Sequence, residues 1–338
     1  MPHRTNSELK GKIVKSTTLL LTAWIATPIL LMLLIATGCT STETTATISS
    51  ASQTPATSKT PVQGGSKTDA LVTAAGNGDL TDVKKLLQEG GKIDAVGKQG
   101  VNALMMACLK KQTEVVKFLL DSGASAGAVA PVGEGEDTQA TTFGYVAVCK
   151  DERTTHGATP LFLAALSGAS DIVQMLLEKG VIVDATTANG ATPLYIACQM
   201  GNKDVVKLLL AAKAKTDITT KYEWTPLFAA CWKGDTDSVQ LLLDAGADVN
   251  ATGTMFMIRK NISGPIDVEM RGGMSRIENI SALYIATMAG KADIVNLLLA
   301  KGANTSMKTS AGETASDAAR FVGNDAIVQL LQQANKAK

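Results

Sequence analysis

At 338 residues the chain has room for two ordinary domains or one repeat array, and 45% of it is hydrophobic, enough for a folded core. Only 4% is aromatic, so the core must come from Leu, Val, Ile and Ala, as in stacked small helices. A formal net charge of +1 offers no basic excess to neutralise phosphates, which argues against a nucleic-acid partner.

Residues 1–38 carry Arg4, Lys10, Lys12 and Lys15 against Glu8, a net +3 that leaves −2 for the remainder. A basic stretch to Lys15 precedes an apolar run from Leu19 to Ala36, followed by Ala36-Thr37-Gly38-Cys39. A basic start, an apolar middle and small residues before a cut describe a secretory signal. The Cys after small residues resembles a bacterial lipobox, although Ala36 stands where Leu is usual. That resemblance implies acylation of Cys39 as the new N-terminus. With Thr40 and not Asp behind it, the resemblance implies an outer-membrane lipoprotein facing the periplasm. Two alternatives stay open: an uncleaved inner-membrane signal anchor, since 18 apolar residues could just span a bilayer, and plain secretion. Residues 39–67 are dominated by Ser and Thr, with Pro55, Pro61 and Gly64-Gly65, a composition expected to stay unfolded as a tether. Such a stretch has an r.m.s. span on the order of 30 Å.

From residue 68 to 335 the chain repeats itself. Pro160, Pro193 and Pro226 are 33 residues apart, and the same register continues with Ala at 70, 103, 282 and 315. Four residues on, every repeat has Ala: Ala74, Ala107, Ala164, Ala197, Ala230, Ala286 and Ala319. Nine residues further stand Val83, Val116, Val173, Val206, Val239, Val295 and Val328. Three more bring Leu86, Leu119, Leu176, Leu209, Leu242, Leu298 and Leu331, so Val and Leu form one face of a second helix. Gly90, Gly123, Gly180, Gly246 and Gly302 end that helix. A 33-residue period with Thr-Pro-Leu opening a helix resembles the ankyrin repeat. The resemblance implies an all-α repeat solenoid of helix pairs with inter-repeat β-hairpins, here seven repeats with two hairpin insertions. In the last repeat Ser316, Arg320 and Gln332 replace apolar or small residues, as a terminal cap requires. The family's Thr-Pro-Leu-His histidine is replaced by Phe162, Tyr195, Phe228 or Tyr284, so its hydrogen-bond network must be absent or rebuilt.

The insertions fall at about 129–152 and 254–276, in the same register. In the first, Gly133–Asp137 reads as a loop and Phe143–Cys149 as a strand. In the second, Ile266, Val268 and Met270 alternate with charges, and Met255–Ile258 is expected to pair with them across Asn261–Pro265. Either these are loop extensions packed back on the solenoid, or they are fingers that grip a partner with Met255, Met257, Met270 and Met274 as adaptable contacts.

By family resemblance, partners are met on hairpin tips and on the exposed face of the first helix. Those positions here are Lys221, Tyr222, Trp224, Trp232 and Lys233, then Gln199 and Met200, His156, Leu166 and Ser167, and Leu109, Lys110 and Met288. Trp and Tyr beside cations suit a binding hot spot, unless the inserted hairpin covers them. No catalytic, cofactor or metal site is expected. Beyond the leader His156 stands alone, too few for a metal site or a base dyad. Cys108, Cys198 and Cys231 occupy a slot that is Ala or Thr elsewhere, so they read as small core residues, with Cys149 the one odd thiol. Gly91–Lys98 imitates a phosphate loop but has the wrong spacing, with Gln99 after the Lys. Asn261-Ile262-Ser263 and Asn279-Ile280-Ser281 match a glycosylation sequon, by chance if the chain is bacterial.

The expectation is a lipid-tethered, monomeric periplasmic adaptor binding one protein through its concave face. An immunity or inhibitor lipoprotein against a toxic enzyme is the alternative, and a hydrolase built on the insertions a distant third. Radiolabelled fatty acid is expected to label the chain, and Cys39→Ala to lose both label and membrane retention; an unlabelled protein removes the anchor.

Overall fold

A computed structural model describes residues 67–97, 100–130, 157–258 and 274–336. Chain contacts divide the molecule into Met1–Pro61 and Val62–Lys338, and every described residue belongs to the second unit. Cys39, the tether, His156, Cys149, the Phe143–Cys149 strand and the Ile266–Met270 alternation lie outside the described residues.

Fourteen described helices form seven pairs: α1 (Lys67–Asn77) with α2 (Leu80–Gln88), α3 (Ala103–Leu109) with α4 (Thr113–Asp121), and α5 (Pro160–Ser167) with α6 (Ser170–Glu178). They continue as α7 (Pro193–Met200) with α8 (Lys203–Ala211), and α9 (Pro226–Lys233) with α10 (Thr236–Asp244). The last are α11 (Ala282–Met288) with α12 (Ala292–Ala300), and α13 (Ala315–Val322) with α14 (Asp325–Lys336). Strands β1 (Thr252–Ile258) and β2 (Met274–Ser281) separate the fifth and sixth pairs.

The Thr before each Pro starts the first helix. Thr159, Thr192 and Thr225 accept hydrogen bonds from the N–H groups of Phe162, Tyr195 and Phe228, while Pro at the first turn gives up no needed donor. Asn102 and Ser281 cap in the same way where Pro is absent, and Thr314 and Asp317 cap each other reciprocally. Each first helix packs on the next, α1 on α3, α3 on α5 and so on, through the recurrent Ala, which is fully buried from Ala107 onward. The second-helix Val and Leu are likewise sealed in the interior pairs. Only Leu86 in the first pair and Val328 in the last are half-buried, as the free ends of a stack require. Arg320 and Gln332 lie exposed on the last pair.

Polar links tie each pair to the next. Asp94, Asp184 and Asn250 accept from the N–H groups of Ser125, Lys215 and Asn304 at 2.9, 3.0 and 2.8 Å. The third spans 54 residues where the others span 31, so this link is kept across the second insertion. Gln112 and Asn202 donate to the C-terminal carbonyls of the preceding first helix, Gly76 at 3.1 Å and Ala165 at 2.8 Å. In the sixth pair, where Tyr284 stands in the histidine's place, its hydroxyl donates to Glu313 of the next hairpin at 2.8 Å.

In the second insertion Met255–Ile258 pairs with Met274–Ile277, lengthening the inter-repeat hairpin, while the Ile266–Met270 stretch expected to pair with it lies outside the described residues. Register is set by a bulge at Asn279, whose φ of 59° lets Ile277 oppose Met255 while Ile280 opposes Gly253.

Three slots per repeat take left-handed backbone: the hairpin tip, the end of the first helix and the end of the second. Glycine fills most of them; the exceptions are Glu223 at a tip, Asn279 in the tip register at the β2 bulge, and Lys111 and Lys213 at helix ends, with φ from 59° to 65°. A side chain in that conformation costs roughly 1–2 kcal/mol, partly offset by glycine's greater freedom when unfolded. Lys213 is exposed, so Lys213→Gly should stabilise the array by about 0.5–1 kcal/mol in urea unfolding. An unchanged or lower midpoint contradicts the strain.

Candidate protein-binding face

Trp232 lies near the end of α9 and is 40% exposed, one of five large apolar residues so placed among those described. Met288 of α11 and Phe321 of α13 hold the same position in the next two first helices; Met288 is half-buried and Phe321 is 66% exposed. The ridge therefore runs toward the C-terminal end. Phe321 was missed on sequence, though its distance of 33 residues from Met288 is the repeat period and would have identified it. Lys233, next to Trp232, is exposed, and its methylene stem lies along Gly201 of the preceding pair, where a Cβ would meet it at 3.1 Å.

The other expected contacts divide by position. Gln199 and Met200 are half-buried, as is Leu109, with Met200 and Leu109 leaning on the core. Lys110 is exposed, and Ser167 is half-buried with its hydroxyl donating to the carbonyls of Cys108 and Ala164. Leu166 is a correction: at 6% exposure it belongs to the core of α5, because its neighbours close over the end of that helix, and it presents nothing to a partner.

The fifth hairpin tip is built around Trp224, and here the covering alternative holds. Its ring stacks tilted on Phe228, centroids 4.8 Å apart, and crowds Gly253 of β1, where a Cβ would meet the indole at 3.1 Å. The indole N–H donates to the carbonyl of Thr254 at 2.5 Å, and the Thr254 N–H donates to the Tyr222 carbonyl at 3.0 Å. The Thr254 hydroxyl donates to Glu223 at 2.8 Å. Trp224 is therefore the clasp that fixes β1 to the fifth pair, and it is half-buried. Sequence alone places both Trp residues on the same repeat; it does not show that one lies beneath the inserted strand. On the outer side of the clasp, exposed Lys221 sits over the half-buried Tyr222 ring at 5.2 Å.

No described cluster of His, Cys, Asp and Glu could hold a metal ion. Cys108, Cys198 and Cys231 are fully buried and unpaired, and burial pushes their thiols well above the usual range, which opposes the thiolate that nucleophilic chemistry requires.

Comparison with known proteins bears on this geometry. A family model described as ankyrin repeats (3 copies) matches residues 31–130, 71–187, 134–222 and 161–253, and one described as ankyrin repeat matches 278–310. The chain is 32% identical over 137 residues to the E3 ubiquitin-protein ligase XB3 of Oryza sativa subsp. japonica, covering 34% of this chain and 30% of that protein. The match thus spans less than a third of that relative's length. Among solved structures, the human ASB11 ankyrin repeat domain is 26% identical with a TM-score of 0.57, covering 78% of this chain and 96% of that one. The ankyrin repeat domain of Bcl-3 is 24% identical with a TM-score of 0.55 over 78% and 97%, a likeness of fold alone.

The two tryptophans should respond differently to replacement. Trp224→Phe keeps an aromatic ring and loses the bond to Thr254, costing about 1 kcal/mol and speeding hydrogen exchange at Gly253–Met255. Trp232→Ala should shift stability by no more than about 0.5 kcal/mol. Equal effects from both would dismiss the clasp.

Proposed function

The chain belongs to the ankyrin-repeat family, and on that premise we propose that it captures one protein on the face centred on Trp232. Ankyrin repeats suggest a protein-binding role, and the fold is typically non-catalytic. The observation that carries the reading is the apolar ridge of Trp232, Met288 and Phe321 on three successive first helices, with Lys233 beside it. Such aromatic anchors next to a cation have the composition of an interface hot spot. With Trp232 and Phe321 exposed and Met288 half-buried in one line, this ridge marks a contact surface more than it serves the fold.

In this reading the chain acts as a tether. The basic and apolar leader and the residues around Cys39 support a lipid-anchored protein of a bacterial envelope, with the Ser/Thr-rich stretch 39–67 between anchor and array. The partner is a protein, and neither a cofactor nor a metal takes part.

The test is affinity capture from solubilised bacterial membranes and periplasm with the full chain as bait, run beside Trp232→Ala and Phe321→Ala. A specific partner retained by the parent and reduced at least tenfold by either variant supports the ridge. A partner held equally by all three places the interface elsewhere.

A further inference from the structure

The β1–β2 hairpin offers more than a covered base. Thr254 turns both its backbone polar groups away from β2: its N–H donates to Tyr222 and its carbonyl accepts from the Trp224 indole. Glu278 does the same on the far side, its carbonyl accepting from the Ser310 N–H and its N–H donating to the Ser310 hydroxyl, both at 2.9 Å. Successive residues of a strand alternate in direction, so the next outward-turned backbone groups belong to Phe256 and Ile258 on β1, and to Arg276 and Met274 on β2. Register agrees: Phe256 stands opposite Arg276 and Ile258 opposite Met274, as two sets of outward groups must. No described residue outside the hairpin bonds to the backbone of Phe256 or Ile258.

The two edges are not alike. The β2 edge carries Arg276 paired with Glu278 at 3.2 Å and the bulge at Asn279, devices that discourage another strand from joining. From Thr252 to Ile258, β1 has neither a charge nor a proline. The hairpin tips of this solenoid already join by successive strand-like bonds, Lys221 N–H to the Asn189 carbonyl at 2.9 Å and Thr254 N–H to the Tyr222 carbonyl. The open part of β1 continues the same ribbon beyond the clasp.

We propose that the outer edge of β1, at Phe256 and Ile258, receives an extended segment of the partner protein as an added strand. This rests on the protein-binding reading and deepens it: the ridge supplies side-chain contacts, and the β1 edge supplies main-chain hydrogen bonds to an uncharged, proline-free, β-prone segment. Trp224 is then a positioning residue, holding the edge in register without touching the added strand.

The probe is the fluorescent heptapeptide Thr-Val-Thr-Val-Thr-Val-Thr, with a copy N-methylated at alternate residues in each frame, titrated against the full chain in detergent. The unmodified peptide should bind saturably, and methylation in one frame should weaken it at least tenfold. Phe256→Pro, which among backbone groups removes an outward N–H and spares the β1–β2 ladder, should cause a similar loss that Phe256→Ala does not, while Arg276→Pro on the opposite edge should bind as the parent does. Thermal unfolding of both variants checks that the fold is retained. Absence of saturable binding overturns the proposal, as does equal binding by Phe256→Pro. So does a dimer of the parent that Phe256→Pro dissolves, since a second copy would then occupy the edge. If the peptide fails while Trp232→Ala still abolishes partner capture, strand addition falls and the protein-binding reading stands.

Discussion

The close approach of neighbouring first helices at the recurrent Ala is the contact on which the array depends. A lone helix pair has two broad faces and too little apolar surface to close either, so it is stable only when stacked. A methyl at that slot lets helices such as α5 and α7 approach closely, which in turn seals the Val and Leu of the second helices. Each such side chain contributes roughly 1.5–3 kcal/mol when withdrawn from water. Everything else, including the caps, the Asp94-type links and the hairpin ribbon, orients pairs that this contact has already brought together.

Much of this was legible in the sequence because the forces that set it are local and periodic. A Thr cap, a Pro in the first turn and a Val–Leu face each recur every 33 residues, and each acts within one helix pair. The polar last pair was legible for the same reason, since a cap is a departure from a pattern already known. The pairing of Met255–Ile258 was not. It depends on the bulge at Asn279 and on the hydrogen bonds of Glu278 to Ser310, which no local pattern reports. Leu166 was misplaced because helix position alone does not tell how far neighbouring side chains close over a helix end.

The two tryptophans show the same limit at the candidate site. Residue type and slot gave both a binding role, yet the inserted strand turns Trp224 inward and leaves Trp232 in solvent. An insertion thus changes the meaning of a neighbouring residue without changing the repeat that carries it. The Asn250–Asn304 link shows how this is tolerated: the added chain leaves through the hairpin, and the hydrogen bond that joins uninterrupted pairs recurs across it.

The buried cysteines carry a consequence for how the array can be studied. Cys108, Cys198 and Cys231 sit in the second, fourth and fifth pairs, each at 0% exposure and each in the first helix. A thiol reagent can reach one only when that pair separates from its neighbour. Their individual modification rates therefore act as built-in clocks, timing how often each joint of a linear chain of modules comes apart, with no residue substituted beforehand.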